Sequence, residues 1–73
     1  MGIALKKIGK IEEAIGCYRK AIDIDPKDAK AYYNLGIALD EIGKIEEAIG
    51  CYRKAVDIDP KYAKAYYNLG VAF

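Results

Sequence analysis

The octet AKAYYNLG fills residues 29–36 and then residues 63–70. After the first copy the chain continues IALDEIGKIEEAIG to residue 50, and after the second it reads VAF to residue 73. The offset is 34 residues and extends beyond the octet: residues 2–28 match residues 36–62 at 23 of 27 positions. The four differences are Lys6/Asp40, Lys7/Glu41, Ile22/Val56 and Asp28/Tyr62. A fixed period of this length signals stacked supersecondary units, each burying its apolar face on the next, rather than one closed core.

Within one period two helical patterns alternate. Tyr32, Leu35, Leu39 and Ile42 recur at spacings of three and four, an apolar stripe down a first helix. Gly43 stands where a left-handed cap would end it. Ile45, Ala48, Ile49, Tyr52, Ala55 and Val56 form the stripe of a second helix. Glu46 and Glu47 lie in its first turn, with Arg53 and Lys54 further on, an order that suits the helix dipole. Pro26 and Pro60 end the second helices and precede the next first helices. The expected helices lie near residues 11–24, 28–42, 45–58 and 62–73, with a stub near 2–8. Their connections are short enough to require antiparallel neighbours.

Composition narrows the function. Twelve Lys plus Arg against eleven Asp plus Glu give a net charge of +1, which argues against nucleic acid or a membrane surface as partner. No apolar run approaches the roughly 18 residues of a membrane span, and no signal segment opens the chain. The expectation is a soluble, cytoplasmic protein. His, Ser, Thr, Gln and Trp are absent, which removes most nucleophiles and the commonest general base. No enzyme activity and no cofactor are expected. The richness in Ile, Lys, Glu and Tyr is thermophile-like.

These residues resemble the tetratricopeptide repeat. Tyr32, Leu35, Gly36, Leu39, Gly43, Ala48, Tyr52, Ala55 and Pro60 stand where that family's signature residues stand, with Tyr32 in place of the frequent Trp. The resemblance covers the whole chain. It implies an all-α solenoid, a superhelix of antiparallel helix pairs, whose first helices line a concave face where proteins or peptides commonly bind. Residues 1–28 then form a truncated first repeat, 29–62 a complete repeat, and 63–73 the first-helix part of a third.

The first helices have a second face. Lys30, Tyr33, Asn34, Ile37 and Glu41 follow one another at helical spacing opposite the core stripe, and Lys64, Tyr67, Asn68 and Val71 do so one repeat later. Ile3 and Lys7 occupy the matching places in the first repeat. The expectation is a groove in which Tyr and Ile meet apolar side chains and the Asn amides meet an extended peptide backbone. The alternative is a solvated face kept similar by duplication alone. Some relatives clamp a peptide's terminal carboxylate with Lys, Asn and Arg on these helices. Asn34, Lys64 and Asn68 match in type, but Arg19 and Arg53 fall on second helices and Ile3, Ile37 and Val71 replace Asn, so no such clamp is expected.

Three further features have structural readings. Cys17 and Cys51 occupy one position in successive repeats, roughly 10 Å apart, too far for a disulfide and without a His partner for catalysis. They read as small apolar packing residues. DIDPK at 23–27 and 57–61 reads as a turn capped by Asp25 or Asp59, not as a metal loop. Gly16 and Gly50 read as tolerated exposed positions.

Met1 aligns with Leu35 and Leu69, so the sequence enters and leaves in mid-repeat. This suggests a second role, a structural unit binding copies of itself. The expected faces are Ile11, Ala14, Ile15 and Tyr18 on one side and Tyr66, Leu69, Gly70 and Phe73 on the other. In such head-to-tail or domain-swapped association the 2–8 segment must fray, move aside or be replaced, because it duplicates part of the incoming helix.

Overall fold

The computed structural model describes the backbone of residues 2–72 and the side chains of residues 9–71. Four helices follow one another: α1 Gly2–Ile24, α2 Ala29–Glu41, α3 Ile45–Ile58 and α4 Ala63–Ala72. Packing follows chain order, α1 on α2, α2 on α3 and α3 on α4. No described residue is in a strand. The architecture is the expected all-α helical repeat.

The punctuation is local chemistry. The Asp28 carboxylate accepts a hydrogen bond from the Ala31 N–H at 3.2 Å and caps α2. Asp25 and Asp59 each accept from the N–H two residues on, at 3.1 Å, and so hold the turns that Pro26 and Pro60 occupy. Gly43 takes φ +86°, and two backbone bonds close the end of α2: Gly43 N–H to Asp40 C=O at 3.0 Å and Lys44 N–H to Leu39 C=O at 2.9 Å. A residue with Cβ is strained in that left-handed conformation.

The core lies between α2, α3 and the inner faces of α1 and α4. Leu39 and Tyr52 are its largest fully buried side chains, with Leu35, Ala38, Ala48, Ile15 and Leu69 around them. Gly36 is essential to this packing. A Cβ built on it would lie 2.5 Å from Cε1 of Tyr52, so the ring rests directly on the α2 backbone.

The first repeat corrects the expected organisation. Instead of a 2–8 stub folded against an 11–24 helix, α1 runs unbroken through Gly9. Residues 8–21 and 42–55 are identical, yet one copy contains the Gly43 turn and the other is straight helix. The difference is tertiary. Around Gly43 the 13-residue α2 packs back along α3 and holds the turn. Continuing the helix through Gly9 costs about 1 kcal/mol relative to Ala and adds a hydrogen bond per residue.

Candidate peptide-binding groove

A groove of about 560 Å³ runs between α2 and α4 over the start of α3. Ile37, Asp40 and Glu41 form one wall, Tyr67, Asn68 and Val71 the other, and Ile45 and Tyr52 the floor. Tyr67 and Val71 are 73% and 71% exposed, large apolar groups held out toward the groove. Five expected residues therefore meet here: Ile37, Glu41, Tyr67, Asn68 and Val71. Asp40, Ile45 and Tyr52 join them unforeseen.

Tyr33 has a different setting from the one its spacing suggested. It is half-buried, its ring centroid 6.0 Å from that of Tyr52 and 5.1 Å from that of Tyr62. Its hydroxyl accepts a 3.4 Å hydrogen bond from the Asn68 amide, which ties α2 to α4, and it is not among the residues that line the groove. Tyr62 explains the change. It replaces the capping Asp28 of the preceding repeat, giving up a side-chain cap to stack on Tyr33. Burial raises the pKa of Tyr52, an effect the nearby Asn68 amide partly offsets and the Asp40 carboxylate adds to. Burial also raises that of Tyr62, with Tyr33 and Asp28 contributing. Lys30 and Lys64 are exposed and line neither wall.

A second, narrower groove of about 140 Å³ lies one repeat earlier, between α1 and α2. Ile11, Tyr18, Asn34 and Ile37 line it, the 34-residue counterparts of Ile45, Tyr52, Asn68 and Val71. Ala14, Ala38 and Glu41 complete it. The faces expected to self-associate divide. Ile15 and Leu69 are already in the chain's own core. Ile11, Ala14 and Tyr18 are half-buried, and Tyr66 and Gly70 are exposed. Phe73 and the Ile3 and Lys7 side chains lie outside the described residues.

Both thiols are free. Cys51 is half-buried and its pKa is raised by burial, partly offset by Arg19. Cys17 is exposed, so only Cys51 has the packing role expected of both. Adding a Cβ to Gly16 or Gly50 meets nothing within 4 Å, in keeping with two open positions. Among the described residues no group of three or more His, Cys, Asp or Glu could hold a metal. No helix among them is long and apolar enough to cross a membrane.

Helix pairs stacked at a 34-residue period, with a glycine-on-tyrosine contact inside the complete pair, define an α-helical repeat protein. The model of the TPR repeat family matches residues 2–43 and 39–73, and the chain belongs to that family. TPR repeats generally mediate protein–protein interaction and are typically non-catalytic. A search of curated proteins gave no match.

Proposed function

We propose that the chain binds an extended peptide segment of a partner protein in the α2–α4 groove, and that this segment carries Lys or Arg beside aliphatic side chains. One observation carries the reading: two carboxylates, Asp40 and Glu41, edge a groove whose other lining residues are Ile37, Ile45, Tyr52, Tyr67, Asn68 and Val71. Both acids sit in the last turn of α2, where the helix dipole disfavours negative charge. The equivalent places in the first repeat hold Lys6 and Lys7. A cation in the groove offsets that local cost, while the apolar floor takes an aliphatic side chain. The Asn68 amide supports the reading as a partner for peptide backbone.

Calorimetric titration with three hexapeptides of equal aliphatic content tests this: one with two lysines, one uncharged, one with two glutamates. The lysine peptide should bind tightest, and added salt should weaken it. Combining Asp40→Lys with Glu41→Lys should shift the preference to the glutamate peptide. Tightest binding of the glutamate peptide to the native chain would refute the reading, as would a ranking untouched by the charge reversal.

A further inference from the structure

We infer that Tyr33 is a positioning residue for the groove: its hydroxyl holds the NH2 side of the Asn68 amide, which leaves the Asn68 carbonyl oxygen to accept a backbone N–H of the bound peptide. The inference rests on the reading of the α2–α4 groove as a peptide site. Asn68 belongs to the groove wall and Tyr33 does not, yet Nδ2 of Asn68 lies 3.4 Å from the Tyr33 hydroxyl oxygen. An Asn amide carries two N–H donors on its nitrogen and an acceptor on its oxygen. A nitrogen turned toward Tyr33 turns the oxygen away from it. The neighbouring phenol agrees with this orientation. Burial raises the Tyr52 pKa and the Asn68 amide partly offsets the rise, as an N–H donor near that oxygen does and a carbonyl does not.

The Tyr33 hydroxyl is itself held in place. Its ring packs on two others, Tyr52 at 6.0 Å and Tyr62 at 5.1 Å between centroids, both tilted as aromatic pairs prefer. Tyr62 makes the arrangement specific to this pair of repeats, since the equivalent place one repeat earlier is Asp28, whose carboxylate caps α2. An amide free to rotate offers a peptide either a donor or an acceptor. One whose nitrogen is held offers the acceptor alone, and its ordering is complete before the peptide arrives. With the Asp40 and Glu41 carboxylates opposite, both walls then present acceptors. One wall takes the cationic side chains of the peptide, and the other takes a backbone N–H and so fixes the register.

Tyr33→Phe tests the inference, because it removes the hydroxyl and keeps the stacked ring. Asn34 and Asn68 hold the only side-chain amides in the chain, which has no Gln, so two NH2 signal pairs in the magnetic resonance spectrum report on them. In the free chain Tyr33→Phe should shift the Asn68 pair and move the Asn34 pair less, at unchanged helicity. Calorimetry then compares the two-lysine hexapeptide with analogues in which one backbone amide is an ester and lacks its N–H. One ester position should weaken binding to the native chain by about two- to ten-fold, the span of a neutral hydrogen bond. The Tyr33→Phe chain should bind the parent peptide more weakly by a similar factor and no longer distinguish that ester from it. An unmoved Asn68 pair, a native chain that distinguishes no ester, or equal discrimination by both chains overturns the proposal alone. A native chain that binds no hexapeptide overturns it together with the groove reading.

Discussion

Tyr52 is fully buried beneath Gly36, and burial raises its phenol pKa above the ordinary value of 10.0. The unfolded chain loses that proton near pH 10 while the folded chain still holds it. Stability from this residue is therefore complete below about pH 10 and falls as pH rises through the window up to the folded pKa. Urea unfolding between pH 8 and 11 should show this alkaline loss, and Tyr52→Phe should make it shallower. An unchanged slope would mean that Tyr52 is not desolvated. Tyr33 illustrates where residue-scale reading stops. Its spacing places it with Lys30 and Asn34 on a face opposite the core stripe, and its stacking on Tyr62 was not legible there. Position 62 is one of the four places where the repeat is broken, so the preceding repeat gave no template for it.

The helices themselves were largely legible, and for physical reasons. Pro26 and Pro60 cannot continue a helix whatever the surroundings, and Gly43 turns where α2 packs back on α3, so the α3 limits agree with expectation and those of α2 and α4 lie within one residue of it. The α1 helix was not legible because its sequence is identical to one that turns. Local chemistry permits both outcomes at an Ile-Gly-Lys stretch, and the packing around it decides between them. One substitution made at the two equivalent glycines separates these states. Gly43→Ala should destabilise by about 1–2 kcal/mol, since Ala must enter the left-handed region. Gly9→Ala should stabilise by about 1 kcal/mol, since Gly9 lies within a helix and a Cβ there meets nothing within 4 Å. Denaturant midpoints of the two variants check the signs. If both fall, residues 8–10 turn as residues 42–44 do and α1 is not continuous.

At the scale of the whole molecule, the repeat places similar side chains in register along one side, and a groove follows wherever a first helix stands on each flank. Ile37, Glu41, Tyr67, Asn68 and Val71 were legible as a set because the 34-residue period carries one helical face onto the next. Ile45 and Tyr52 were not, because a stripe assigned to the core does not reveal which of its members reach a surface between two other helices. Asp40 was missed because its neighbour Glu41 fits the face by spacing, and only the folded end of α2 brings both carboxylates to one wall. The proposed binding surface is this wall and the one opposite it. Backbone amide chemical shifts, followed while the two-lysine hexapeptide is added to the labelled chain, test it most directly. The largest changes should fall at Ile37, Asp40, Glu41, Tyr67, Asn68 and Val71, with Gly16, Cys17 and Gly50 unmoved. Changes centred on Gly16, Cys17 and Gly50 instead would contradict the account.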